Sequence, residues 1–259
     1  MAGSYSTGDK MSTKLVLGLD FETTGRDTSK DQIIEIGAVL WDCDNAKPLK
    51  IMSEMIWYED IWEKATASKE KIEEITGIKY EHIQTYGINP IKGFQQLFEI
   101  MQLPDLLAVV AHNGNEFDKP LLHANAAKWD LKVPAINWID TMIDIPYDPS
   151  IQTRKLTYLA TEHNFMNPFA HRAIFDVLTM LKILQQYDID WVLKLSQEPS
   201  VTLVANTTPP WEDGGKSNEE AKSRGYRFQS ETKKWIKLVK ESQVQVEKTS
   251  APFSIREIR

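Results

Sequence analysis

From Leu15 to Tyr58 the pattern of apolar and polar positions is that of strands. Leu15-Val16-Leu17-Gly18-Leu19 is a short apolar run and predicts a buried strand, which ends on Asp20-Phe21-Glu22-Thr23-Thr24-Gly25. A second strand is predicted over residues 33–41, where Ile34, Ile36, Ala38 and Leu40 alternate with Glu35 and Gly37. Turn chemistry fills residues 42–48, and a third strand is predicted over 51–58. Three strands on short connections predict an antiparallel meander. Helical spacing then takes over. Residues 68–75 form a short pattern stopped by Gly77, and residues 91–101 place Phe94, Leu97, Phe98 and Met101 on one face. The continuous apolar run at 106–111 predicts a fourth, central strand. A helix over 115–129, a short strand over 136–139 and helices over 155–163 and 172–187 complete the series. The last helix is expected to bury Ile174, Val177, Leu178, Leu181 and Leu184.

This order predicts an α/β fold, a mixed five-stranded sheet flanked by helices. Residues 198–215 are loop-rich, with Pro209-Pro210 and Gly214-Gly215. The expected organisation is a disordered N-terminus at 1–12, a main domain at 13–195, a linker at 196–215, a small module at 216–241 and a tail at 242–259. In the module, Ser217 followed by Glu220 reads as a capping box on a helix that ends at Gly225. Alternation around Tyr226-Arg227-Phe228 and again over 233–240 predicts a β-hairpin.

Composition narrows the class. Of 259 residues, 42% are hydrophobic and 26% charged, enough apolar material to bury a core. No apolar run approaches the roughly 20 residues of a membrane-spanning helix. The N-terminus lacks the apolar segment of a signal peptide. With Cys43 as the one cysteine, an intrachain disulfide is excluded, as is a Cys-rich zinc site. A reducing, cytoplasmic setting without membrane contact is expected.

The candidate chemistry lies in four acids and one histidine. Asp20 and Glu22 are two apart at a strand end, so both carboxylates project to one face. If buried they repel unless a cation sits between them, and the ordinary alternative is a solvated strand end. Asp118 falls in the first turn of a helix, where acids also occur simply because they favour the helix dipole. Asp176 sits between apolar Ile174 and Val177 and needs a partner if buried. His171 stands about where that helix starts. Taken singly, each has an ordinary structural explanation.

Together they form an ordered set. Asp20-Phe21-Glu22-Thr23-Thr24-Gly25, then Ala111-His112-Asn113 with Phe117-Asp118, then His171-Arg172-Ala173-x-x-Asp176 resembles the DEDDh 3′–5′ exonucleases. These are the DnaQ-like family of proofreading epsilon-type exonucleases, ribonuclease T and exonuclease X. Thr76-Gly77-Ile78 and Asp140-Thr141 fall at further positions of that pattern, and the resemblance runs from about residue 14 to 187.

The resemblance implies a ribonuclease H-like fold and hydrolysis from the 3′ end of DNA, mainly single-stranded, releasing nucleoside 5′-monophosphates. Two Mg²⁺ or Mn²⁺ ions per active site are implied, since hard oxygen ligands suit these cations. By the same analogy Asp20 bridges the metals, Glu22 and Asp176 hold the one nearer the nucleophile, Asp118 supports the site, and His171 is the general base. Phe21, Thr23, Thr24 and Asn113, with His171, fall where the family holds the terminal nucleotide. Phe21 is equally well explained as core. An RNA exonuclease of the ribonuclease T or oligoribonuclease kind is the alternative, followed by a non-catalytic subunit that binds nucleic acid or a polymerase. A polymerase or repair partner is a further expectation.

The net charge of −7 argues against a protein that coats nucleic acid. Its distribution changes that picture. Residues 1–195 hold 19 basic and 28 acidic groups, a net −9, whereas residues 196–259 hold 11 and 9, a net +2. Residues 222–240 alone carry seven basic groups against Glu231. Basic groups track phosphates and aromatic faces stack bases, so Tyr226, Arg227, Phe228, Lys233 and Trp235 are candidate nucleic-acid contacts. The equal alternative is a packing module whose rings form its core.

Overall fold

The structure, a computed structural model, describes residues 13–148, 150–151 and 153–258. The expected disorder at 1–12 lies outside the described residues. Strands β1 (Leu15–Thr23), β2 (Ile33–Asp42) and β3 (Lys47–Met55) form the meander. Helices α1 (Lys69–Thr76), α2 (Tyr80–Tyr86) and α3 (Pro90–Met101) lead into β4 (Leu106–Ala111). Then come α4 (Asp118–Ala127), β5 (Trp138–Asp140), α5 (Leu156–Glu162), α6 (Ala173–Leu184) and α7 (Ile189–Gln197). The C-terminal part holds β6 (Ser200–Asn206), α8 (Pro210–Asp213), α9 (Lys216–Ser223), β7 (Arg227–Gln229), β8 (Lys234–Lys240), α10 (Glu241–Ser250) and β9 (Ser254–Ile258).

The first sheet has the order β3-β2-β1-β4-β5. β1 pairs antiparallel with β2 and parallel with β4, so the five-stranded sheet is mixed, as expected. Helices cover both of its faces, and the pleat sorts side chains between two cores. On one face Leu17, Leu19 and Phe21 of β1 join Ile34 and Ile36 of β2, with α3 and α4 above them. On the other, Val16 and Val39 pack with Val177 and Leu181 of α6. Asp20 and Glu22 share the pleat parity of Val16 and so fall on the α6 side.

Two glycines let α6 lie close to the sheet. A Cβ on Gly18 would meet Val177 Cγ1 at 2.7 Å, and one on Gly37 would meet the backbone of Ala173 and Ile174 at 2.5 Å. Helix α1 has the sequence-predicted ends. Ser68 Oγ accepts from the Lys71 N–H, and Gly77 closes the helix at φ 68°.

Several elements differ from expectation. β3 begins four residues earlier because Asp42 Oδ1 accepts the N–H groups of Asp44 and Asn45, closing the turn by Lys47. α2 and α7 were not expected. Each is short, and α7 was obscured by the loop-rich sequence that follows it. α4 starts at Asp118 rather than 115, because residues 113–117 form a loop around Asp140.

The stretch taken as linker contains β6, the strand that joins β8 to β9 in a second sheet of order β7-β8-β6-β9. Its period-two pattern, Val201, Leu203 and Ala205 turned to the core, lies within residues whose flanking Pro and Gly dominated the sequence signal. The stretch taken as tail contains α10 and β9. The hairpin β7–β8 forms as expected. The capping box does not: Gly215 is the N-cap of α9, and the Ser217 hydroxyl instead accepts from the Thr208 N–H. The two sheets meet through a buried ion pair, Lys240 Nζ to Asp144 Oδ1 at 2.5 Å.

Candidate active site

β1 presents Asp20 and Glu22 side by side, and α6 brings Asp176 to them from its first turn. Ligand atoms of these three carboxylates lie within 4.8 Å of one another. Burial pushes Glu22 up to about 8, aided by the negative charges of Glu35 and Asp176. Asp20 is pushed well up by burial and by Asp118, Glu22 and Asp176. Asp176 is raised too, chiefly by burial. Such a cluster is satisfied by protons or by a bound cation.

Asp118 opens α4 behind Asp20. It is buried, which pushes it up to about 8, against the pull of its own backbone N–H and that of Phe21. Its Oδ1 has no hydrogen-bond partner among the described residues. A buried, orphaned carboxylate oxygen beside three clustered carboxylates is a donor set suited to a hard divalent cation. All four sequence-predicted acids therefore converge at one end of β1.

The start of α6 is built by groups that the sequence did not single out. Glu35, opposite Glu22 on β2, is buried and takes Arg172 Nη2 at 2.7 Å and the Ala173 N–H at 3.2 Å. Alternation marked Glu35 only as the polar phase of a strand. Its burial is a consequence of α6 covering that face. Asn167 Nδ2 donates to Asp176 Oδ1 at 2.6 Å, and the His171 N–H donates to Asp176 Oδ2 at 2.9 Å. His171 takes a left-handed backbone, φ 65°, and is exposed beside Asp176.

Behind Asp118, Asp140 shapes the preceding loop. Its carboxylate accepts the N–H groups of Asn113 (2.9 Å), Asn115 (3.1 Å) and Met142 (3.0 Å). Asn113 is exposed, at φ 68°. His112 is held neutral, its pKa lowered by burial to about 4. Its Nε2 donates to the Arg154 carbonyl at 2.7 Å, while Nδ1 meets the Thr141 hydroxyl at 2.8 Å. No partner pattern for His112 is visible in the sequence, because these partners are 29 and 42 residues away.

The remaining candidates separate. Phe21 belongs to the core, on the sheet face opposite the acids. Thr24 is buried and bonded to Asp31 and Gln32, so it shapes a turn and does not face the cluster. Thr23, half-buried, donates to the Gly25 carbonyl. In the C-terminal sheet, Tyr226 is 2% exposed and packs edge-on against Phe253, which corrects its place as an open stacking face. Trp235 is half-buried, tied to Asn218 Oδ1 at 2.8 Å and in contact with Phe228. Phe228, Arg227 and Lys233 are exposed. Cys43 has its thiol pushed up to about 12 by burial and is unsuited to nucleophilic work.

Comparison with known proteins follows the same outline. The exonuclease family of ribonuclease T matches residues 17–184. The chain is 28% identical over 169 residues to the PolC-type DNA polymerase III of Ureaplasma parvum, and 33% identical over 141 residues to that of Thermotoga petrophila. These alignments cover 64% and 54% of this chain but 11% and 9% of the relatives, so the chain spans about a tenth of their length.

Among solved structures, E. coli exonuclease I in complex with a dA16 oligonucleotide superposes with a TM-score of 0.59 at 14% identity, over 74% of this chain and 48% of that one. A further exonuclease I structure reaches 0.61 at 13% identity over 95% and 62%. The nuclease domain of 3′hExo, a DEDDh family member bound to rAMP, gives 0.54 at 16% identity over 69% and 93%. At these identities the likeness is one of fold.

Proposed function

The chain belongs to the ribonuclease T exonuclease family, in its DEDDh, DnaQ-like group, and from that premise we propose a metal-dependent 3′–5′ exonuclease acting mainly on single-stranded DNA. The observation that carries this reading is the convergence of Asp20, Glu22 and Asp176 within 4.8 Å, with the orphaned Oδ1 of Asp118 beside them. These four would hold two Mg²⁺ or Mn²⁺ ions. When bound, such cations acidify a water and neutralise charge on the phosphate oxygens.

The protein's own groups do the rest. Glu35 and Arg172 fix the first turn of α6, and Asn167 orients the Asp176 carboxylate. His171, exposed at the rim, accepts the proton of the attacking water on its imidazole. As the water oxygen bonds to phosphorus, the bond to the 3′ oxygen of the preceding nucleotide breaks, and that oxygen takes a proton from solvent. A nucleoside 5′-monophosphate leaves. Asn113, at the edge of the site, is placed to contact the terminal nucleotide, with Thr23 nearby on β1.

The test is degradation of matched 5′-labelled DNA and RNA oligonucleotides with Mg²⁺ or Mn²⁺. Stepwise shortening from the 3′ end, abolished by chelation and by Asp20→Asn or His171→Ala, is expected. Near-wild-type turnover by either variant refutes the assignment. An RNA exonuclease is the second reading, favoured by the 93% coverage of the rAMP-bound 3′hExo domain. Faster shortening of the RNA strand would establish it. Similarity to PolC-type polymerases supports a polymerase as partner. The C-terminal sheet, here proposed as a unit of its own from about residue 198, offers Arg227, Phe228 and Lys233 to nucleic acid, with Trp235 behind them.

A further inference from the structure

Between the two sheets runs a cleft of about 1140 Å³. Asn113, Asn115 and Glu116, in the loop that leads into Asp118, belong to its lining, whereas the four clustered acids themselves do not. One wall includes Tyr147 and Arg154 from the first unit, with Trp191 and Lys194 of α7. The other is the face of β7 and β8.

Several charges on these walls are already engaged, whereas Glu116, Lys194 and Lys222 form no ion pair among the described residues. Glu247 takes Arg224 at 3.0 Å and Lys237 at 2.9 Å. Asp140 is turned onto backbone N–H groups, and Glu198 accepts the Ser242 N–H. Among the described residues Arg154 and Arg227 form no ion pair either, although they line the same cleft from opposite units; Arg154 Nη1 donates to the Ile151 carbonyl at 3.3 Å. Arg154 lies over the Tyr147 ring, 4.5 Å from its centroid, and its loop is anchored through the His112–Arg154 carbonyl bond. Burial lowers the pKa of Arg154, and the positive charge of Arg227 adds a smaller push in the same direction. Two guanidiniums that line one cleft and feel each other's charge are stabilised by an anion that both can grip. Phe228 (54% exposed) and Trp191 (52% exposed) add aromatic faces on the two walls.

We propose that Arg154 and Arg227 together bind a backbone phosphate of the nucleic-acid strand upstream of the 3′ end held at the carboxylates, so that the cleft is the track along which the strand enters. This rests on the nuclease reading for the identity of the strand. The positive wall groups supply the attraction, and Phe228 and Trp191 stack bases without reading sequence.

The test uses the full chain with Arg227→Gln, which alters an exposed strand residue, Arg154→Gln, and the double variant. Kinetics with Mg²⁺ are measured on 20-nucleotide and 4-nucleotide DNA, and binding of 20-nucleotide DNA and RNA is followed by fluorescence anisotropy in chelator across a salt series. Each substitution is expected to raise the 20-mer KM about tenfold, as loss of a charge-assisted phosphate contact does. The KM advantage of the 20-mer over the 4-mer should shrink. The slope of log affinity against log salt should fall by about 0.7 in the double variant, in which the one phosphate contact is lost. Unchanged KM and salt slope in the double variant overturn the proposal, as does a wild type that binds neither strand. Arginine-dependent binding by a wild type that hydrolyses nothing upholds the cleft and overturns the nuclease reading. Equal slopes on DNA and RNA identify the phosphodiester as the ligand, while a slope lost on only one assigns the track to that strand.

Discussion

Replacing Gly37 by alanine should disable the site without touching a carboxylate. Gly37 lies on β2 directly beneath the first turn of α6. A Cβ there would come within 2.5 Å of Ala173 C and Ile174 N, backbone atoms that cannot rotate aside. Recovering ordinary contact at 3.4 Å requires that turn to withdraw by about 0.9 Å. Asp176 stands in the same turn, so its carboxylate moves with it, away from Asp20 and Glu22. Overpacking of this kind costs about 1–3 kcal/mol of stability. A displacement near 1 Å in a catalytic constellation costs about 100-fold in rate.

The assay pairs kcat on a labelled oligonucleotide with urea unfolding and Mn²⁺-dependent thermal stabilisation. Gly18→Ala is the control. Its Cβ would meet Val177 Cγ1 at 2.7 Å and Leu181 Cδ1 at 2.8 Å, side-chain tips that can repack. It should lose stability to a similar degree while keeping activity within roughly threefold. The reasoning fails if Gly37→Ala, folded at the assay temperature, keeps kcat within about threefold of wild type, or if Gly18→Ala loses as much activity at equal stability.

Three further outcomes are expected. Glu22 and Asp118 have folded-state pKa values raised to about 8, so the folded protein holds protons that the unfolded chain has lost; their stabilisation is complete below about pH 4 and is lost as pH rises to 8. The melting temperature of chelated protein should accordingly fall from pH 5 to pH 8, and Mn²⁺ should raise it more at pH 8; an increment independent of pH would refute this. Glu35→Gln removes the charge that pairs with Arg172, itself 37% exposed and partly resolvated, and should cost about 1–2 kcal/mol in urea unfolding and lower kcat through Asp176. Lys240→Met leaves the buried Asp144 without its cation and should cost about 3 kcal/mol; Asp144→Asn in the same chain should recover part of that, and strict additivity of the two would contradict the pairing.

The meander and the central strand were legible because their code is local. A period of two in Ile34, Ile36 and Ala38, and an unbroken apolar run at 106–111, are stated by adjacent residues and survive in β2 and β4. Ser68 and Gly77 mark α1 for the same reason, since a cap acts within three residues of itself. β6 and β9 were not legible. Each is a short strand whose partners lie thirty or more residues away, and Pro and Gly nearby carried a stronger signal than the alternation itself.

The site divides along the same line. The sequence alone singled out the acids that the fold brings together, through the spacing of Asp20 to Glu22 on a pleat and the ordered motifs that carry Asp118, His171 and Asp176. It could not determine which of their neighbours face them. Phe21 and Thr24 sit among the motif residues, yet the pleat turns Phe21 to the opposite core and Asp31 captures Thr24. Glu35 reads as the ordinary polar phase of a strand, and Asp140 as a motif position with no partner stated. Packing of α6 on Gly18 and Gly37 buried the first, and the loop before α4 wrapped its N–H groups around the second. The meeting of Arg154 with Arg227, and of Asp144 with Lys240, likewise exists only once two sheets are set against each other. Local spacing encodes the identity of reactive groups; long-range packing decides their exposure, their partners and the charge they carry.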